Sequence, residues 1–169
     1  MPRIGRFERV SPARFQQDWE KAFATPAPDV QAIALPRRAT RGSAGYDFFS
    51  PADFTLAAGE GILLPTGIRA LMDEGWLLAL FPRSGLGFKY RFQLDNSVGI
   101  IDSDYALSDN EGHIMLKLTN DGREGKPLTV AAGSAVAQGI FLPYGITFDD
   151  DAQAQRNGGF GSTDGKPGR

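Results

Sequence analysis

The chain has 169 residues, 22% of them charged, and a formal net charge of −2. That length fits one domain, and the charge balance supplies no cationic excess for a nucleic-acid partner. It has no cysteine and a single histidine, His113, which excludes disulfides, iron–sulfur clusters, thiolate zinc sites, a cysteine nucleophile and a multi-histidine metal centre within the chain.

In chain order, the N-terminal MPRIGRFERV lacks the apolar core of a signal peptide. No later run approaches the roughly 20 apolar residues of a membrane span. A soluble, cytoplasmic protein without membrane partners is therefore expected. Residues 12–23 predict a helix: Ser11 can cap it, Pro12 suits its first position, and Phe15, Trp19 and Phe23 recur at i, i+4 and i+8. This apolar stripe packs the helix onto the body or a partner subunit, and the polar face mixes Arg14, Asp18, Glu20 and Lys21. The Pro-rich TPAPD at 25–29 closes an N-terminal extension of residues 1–29.

A β domain is expected over 30–148. Its text is short apolar runs separated by Gly, Pro, Asn and Asp, such as VQAIAL (30–35), WLLALF (76–81), SVGII (97–101) and AVAQGIFL (135–142). In HIMLKLT (113–119), Ile114, Leu116 and Leu118 alternate with Met115, Lys117 and Thr119, the period of a half-buried strand. Such runs indicate an all-β sandwich or barrel rather than βαβ units. Helical periodicity is missing after residue 24. From Asp149 onward the chain is polar and Gly-rich, a composition for a flexible C-terminal arm over 149–169 with Phe160 as its lone aromatic.

Familiar phosphate and calcium motifs fail. GFGSTDGKPGR lacks the Walker spacing and follows no βα unit, and DSDYAL has Leu107 where a calcium loop needs glycine. Five segments instead join glycine to a useful side chain: SAGYDFFSP (43–51), PRSGLGF (82–88), NSVGIIDSDY (96–105), AGSAVAQGIFLP (132–143) and RNGGFGST (156–163). Glycines let backbone amides approach a ligand or form anion-binding concavities. Arg83 and Arg156 present forks suited to phosphate oxygens. Asp47, Asp102 and Asp104 offer hard oxygen ligands or a base.

Together, and in this order, the segments resemble the five motifs of the trimeric dUTP pyrophosphatases (dUTPases), over residues 36–163. The resemblance implies a distorted jelly-roll-like β-barrel, a homotrimer with sites shared between chains, and Mg²⁺-dependent hydrolysis of dUTP to dUMP and pyrophosphate. On this resemblance Asp102 holds and activates the water that attacks the α-phosphorus, and Asp47 reaches the hydration shell of Mg²⁺. Arg83, Ser84, Gly85 and Gln138 bind phosphates. A β-hairpin carrying Asn96, Gly99 and Ile101 presents main-chain groups to uracil, and Tyr105 packs on deoxyribose. In the arm, Arg156, Gly161, Ser162 and Thr163 clamp the γ-phosphate while Phe160 stacks on the base, so the arm closes over the site. Two alternatives stand beside this: a dCTP deaminase-like enzyme of the same fold, and a nucleotide-gated regulatory binding protein.

The sequence departs from the family pattern in three places. Residues 106–110 (ALSDN) lengthen the turn after Tyr105, as in one bacterial and phage-borne subgroup, and the 106–112 insertion is a candidate surface for a regulatory protein partner. Arg156 stands one residue before GGF, where many members have two. Asp164 follows GGFGST. Without a second histidine or a cysteine, His113 reads as a core or surface imidazole. The run of Arg37, Arg38 and Arg41 reads as a solvated strand edge that helps draw in an anionic nucleotide.

Overall fold

Short antiparallel strands make up most of the regular structure in the computed structural model, which describes residues 1–154 and Arg156. The order is β1 (Gly5–Arg9), α1 (Pro12–Ala22), β2 (Arg37–Arg38), β3 (Tyr46–Phe49), β4 (Phe54–Leu56), β5 (Gly61–Pro65), β6 (Ile68–Met72), β7 (Trp76–Pro82), α2 (Ser84–Tyr90), β8 (Phe92–Leu94), β9 (Gly99–Asp102), β10 (Met115–Asn120), β11 (Leu128–Val130) and β12 (Ala135–Pro143). Two 3-10 turns lie at Val30–Ala32 and Ser103–Leu107. The strands pair as β1–β6, β5–β10–β8, β11–β4 and β2–β3–β12–β7–β9. The all-β class read from the sequence is the class observed.

The apolar alternation explains the layers. Ile114, Leu116 and Leu118 are buried while Lys117 faces solvent, so β10 turns one face to the core. Phe48, Leu64, Leu78, Leu80, Phe92 and Val136 fill the space between the sheets. On α1, Phe15 and Trp19 are buried and the rings of Trp19 and Phe23 stack with centroids 4.2 Å apart. The Ser11 hydroxyl accepts from the Arg14 amide at 3.1 Å, and the Trp19 indole N–H donates to the Thr25 carbonyl at 2.8 Å, which fastens the end of the helix to the loop that follows.

Two expectations are corrected. A second helix, α2, occupies Ser84–Tyr90 although no helical periodicity is visible after residue 24. None of its residues is buried, so it needs no apolar stripe, and Arg91 ends it in the left-handed region at φ 48°. The β-hairpin expected around 96–101 is not a paired hairpin. β8 pairs with β10 and β9 pairs with β7, so the intervening turn steps from one sheet to another.

Candidate active site

The five-stranded sheet sets out the first group of side chains. On its β3–β12–β7 strands, Gln138 faces Asp47 on one side and Phe81 on the other. Arg83, just beyond the end of β7, places Nε 3.2 Å from Asp47 Oδ1. Gln138 Nε2 donates to the Pro82 carbonyl at 3.1 Å, which orients the amide beside the PRSG turn. Gly45 makes this possible: a Cβ there would fall 2.7 Å from Gln138 Oε1. Ser84 is exposed, and a Cβ on Gly85 would meet nothing within 4 Å, so the backbone of this turn is open to an anion.

The second group surrounds the end of β9. Asp102 closes that strand opposite Leu77 and precedes the 3-10 turn Ser103–Leu107. Arg156 forks across two carboxylates: Nη2 bonds to Asp102 Oδ2, and Nε donates to Asp104 Oδ1 at 2.9 Å. Its Cζ lies 5.6 Å from the centroid of the Tyr105 ring, within cation–π range. Both aspartate side chains remain about half exposed, 49% and 48%, so water and salt screen the pairs. They line a cleft of about 550 Å³ with Met72, Glu74, Ser103, Tyr144 and Arg156.

Tyr105 is buried beneath this cleft. Its hydroxyl donates to the His113 carbonyl at 3.1 Å and accepts from Asn110 Nδ2 at 2.9 Å, and burial pushes its phenol above the usual range. The third group flanks the turn between sheets. A cleft of about 650 Å³ is walled by Leu63, Leu80, Leu94, Ile100 and Met115, and Asn96, Gly99 and Ile101 share its lining. β8 and β9, which pair with different strands, line it through Leu94 and through Gly99, Ile100 and Ile101. Ser97 takes φ 64° at its tip, and its N–H reaches the Leu94 carbonyl at 2.9 Å.

The sequence-selected residues thus fall into separate groups within one chain. Asp102 sits opposite Leu77, and Gln138 sits opposite Phe81, four steps away along β7 or about 13 Å at the rise of a strand. Phe160, Gly161, Ser162 and Thr163 lie outside the described residues. Among the described residues no three His, Asp or Glu side chains cluster as a metal site. Sequence reasoning gave no pairing to Asp104, although its D-x-D spacing from Asp102 was the available signal. It also missed a buried couple between Asp18 and His113, whose side chains stand 2.8 Å apart across 95 residues of sequence.

Comparison with known proteins adds to this geometry. The family model described as dUTPase matches residues 31–164. The deoxyuridine 5′-triphosphate nucleotidohydrolase of Lactococcus lactis is 40% identical over 134 residues, covering 78% of this chain and 88% of that protein. The enzyme of the same name from Hahella chejuensis is 41% identical over 139 residues, covering 78% and 87%. Among solved structures, the dUTPase of Streptococcus mutans superposes with TM-score 0.64 at 33% identity, covering 83% of this chain and 97% of its own. A variant of the dUTPase from phage phi11 of S. aureus, described with a structural Mg(II) ion, shares the fold at TM-score 0.59 and 18% identity, covering 76% and 94%.

Proposed function

The chain belongs to the dUTPase family, whose fold is jelly-roll-like, and on that premise we propose that it hydrolyses dUTP to dUMP and pyrophosphate through a water held by Asp102. The observation that carries the mechanistic part is the setting of Asp102: half exposed, at the mouth of a polar cleft, and bonded to the arm residue Arg156. A carboxylate is a weak base, so placing the water in line with the α-phosphorus contributes more than proton affinity does. An entering triphosphate competes for the Arg156 guanidinium. Its transfer from Asp102 to phosphate frees a carboxylate oxygen for the water.

Arg83, Ser84, Gly85 and Gln138 supply the cation and the open hydrogen-bonding groups for the phosphates. Main-chain groups of Asn96, Gly99 and Ile101 read uracil at the apolar cleft of about 650 Å³. A cytosine there leaves donors and acceptors unpaired, at about 1–3 kcal/mol for each buried orphan. The Tyr105 ring, which lies under Arg156, packs on the deoxyribose once that guanidinium has moved to phosphate, and the arm residues Phe160, Gly161, Ser162 and Thr163 close on base and γ-phosphate.

The donor set suits Mg²⁺ carried by the nucleotide. Asp47 stands beside Arg83 in a place with no cluster of three potential ligands among the described residues, and Mg²⁺ keeps most of its waters and takes few protein ligands. Asp47 would hold the ion through a water, and the ion would neutralise charge on the triphosphate. A homotrimer with shared sites is supported by the separation of Asp102 from Gln138 along β7 and by the exposure of Ile100, Ile146 and Phe148.

Pyrophosphate release measured with dUTP, UTP, dCTP and dTTP, with and without Mg²⁺, tests this reading. Release from dUTP alone, dependent on Mg²⁺, is expected. Deamination of dCTP to dUTP, read as ammonia release, with dUTP itself left intact overturns it.

A further inference from the structure

Helix α1 lies outside residues 31–164, the span that matches the family, yet it is bonded to the inserted segment at Glu111 and to the residue directly after it, His113. At its N-terminus Ser11 donates from its amide at 2.8 Å and from Oγ at 2.6 Å to the two carboxylate oxygens of Glu111. Two turns further on, the buried Asp18 places Oδ2 2.8 Å from Nδ1 of His113, whose side chain is wholly enclosed. The other ring nitrogen, Nε2, accepts from the Gly67 amide at 2.8 Å. Nδ1 therefore carries the proton, and the imidazole is neutral.

The contacts continue to the catalytic turn. The His113 carbonyl accepts from the Tyr105 hydroxyl, and Ser108 Oγ donates to the Tyr105 carbonyl at 2.6 Å. Gly112, at φ 70°, packs so closely that a Cβ would fall 2.6 Å from Ala106 Cα. Tyr105 belongs to the same 3-10 turn that follows Asp102.

We propose that Asp18 and His113 are positioning residues: by docking α1 onto the chain directly after the inserted segment, their bond fixes Tyr105 and with it the Asp102–Asp104 turn that faces substrate. The activity arm of this proposal rests on the hydrolase reading above. The groups facing the pair come from several elements. From α1, Arg14 and Lys21 reach Asp18 Oδ1 at 3.3 and 2.8 Å, and the Phe15 ring lies 6.0 Å from the imidazole. Glu111 of the insertion adds a negative charge, and Arg69 of β6 donates to its carbonyl at 3.4 Å. Burial favours neutral His113, and the Asp18 carboxylate opposes that. Protonation would set a second N–H against that of Gly67 and break the bond that Nε2 accepts.

The test uses the full chain with Asp18→Ala and Asp18→Asn. It reads kcat and KM for dUTP from about pH 5 to 9 and amide exchange at residues 103–107. Asp18→Ala should lower kcat about tenfold with KM nearly unchanged, and should speed exchange at 103–107 while the β10 amides stay protected. Asp18→Asn keeps an acceptor for Nδ1 and should restore most of kcat. Its acid limb should move to lower pH, because the charge that holds a proton on His113 is gone. Unaltered kcat and exchange in Asp18→Ala, or an unmoved acid limb in Asp18→Asn, would overturn the proposal. Should Asp18→Ala not fold, the limb and exchange of Asp18→Asn decide it. Absence of dUTP turnover in the unaltered chain fails the hydrolase reading alone, and exchange at 103–107 still decides the couple.

Discussion

On the proposed reading Asp102 is the residue on which the chemistry turns. It is half exposed at the mouth of the cleft and shares the Arg156 guanidinium with Asp104, a setting in which the carboxylate serves by placing a water. Asp102→Asn keeps its size and one acceptor oxygen but cannot take the proton. Turnover should fall by about 10²–10⁴-fold, while binding of a non-hydrolysable dUTP analogue changes little; near-normal turnover would remove Asp102 from the role of water activator. The motif letters were legible because each carries chemistry in its own side chain. Asp18 and His113 were not, because a mid-helix carboxylate and a lone imidazole have no local signature. Only tertiary folding brings them to 2.8 Å.

At the scale of elements, legibility followed periodicity. The Phe15, Trp19 and Phe23 stripe marks α1 because burial demands one face, and β10 shows its alternation for the same reason. Helix α2 buries no residue and contains two glycines, so the apolar period that sequence reading depends on is missing from it. The hairpin expected at 96–101 misled for a different reason: adjacent strands usually pair, but here β8 and β9 each find a partner in a different sheet. The C-terminal arm yields a prediction at this scale. Its described anchor, Arg156, makes ion pairs to half-exposed aspartates, and such pairs contribute at most about 1 kcal/mol each. Deleting 156–169 should therefore leave the urea midpoint nearly unchanged while cutting turnover by about 10²-fold or more, since it removes the residues proposed to hold the γ-phosphate and the base. Equal losses of stability and turnover would sink arm closure as a catalytic step.

Two properties belong to the whole molecule. The first is its response to acid. Asp18 is raised by burial, but bonds from Lys21 and His113 outweigh this and set it below its usual value. Glu111 is likewise raised by burial and brought lower overall by the Ser11 bonds. Such carboxylates stabilise the fold above their unfolded values and lose that contribution as pH falls through the folded ones. Burial lowers His113 from 6.5, so the unfolded chain takes up its proton first and stability starts to fall as pH drops below about 6.5. All three act in one direction. Urea midpoints should be level above neutrality and fall on acidification, and His113→Gln should remove the part of the fall that precedes the carboxylate range. A midpoint that rises toward pH 5 would contradict the neutral buried imidazole. The second is assembly: on the proposed reading, one chain does not gather its own site. Asp102 and the Arg83–Gln138 group lie at opposite ends of β7, about 13 Å apart along the sheet. If a site takes Asp102 from one chain and Arg83 from another, two inactive variants can complement each other. Asp102→Asn and Arg83→Ala, unfolded together in equal amounts and refolded, should regain about a quarter of the unaltered activity, because about one site in four then draws both intact residues from its two chains. Sites built within single chains give no recovery, since every chain in the mixture carries one lesion.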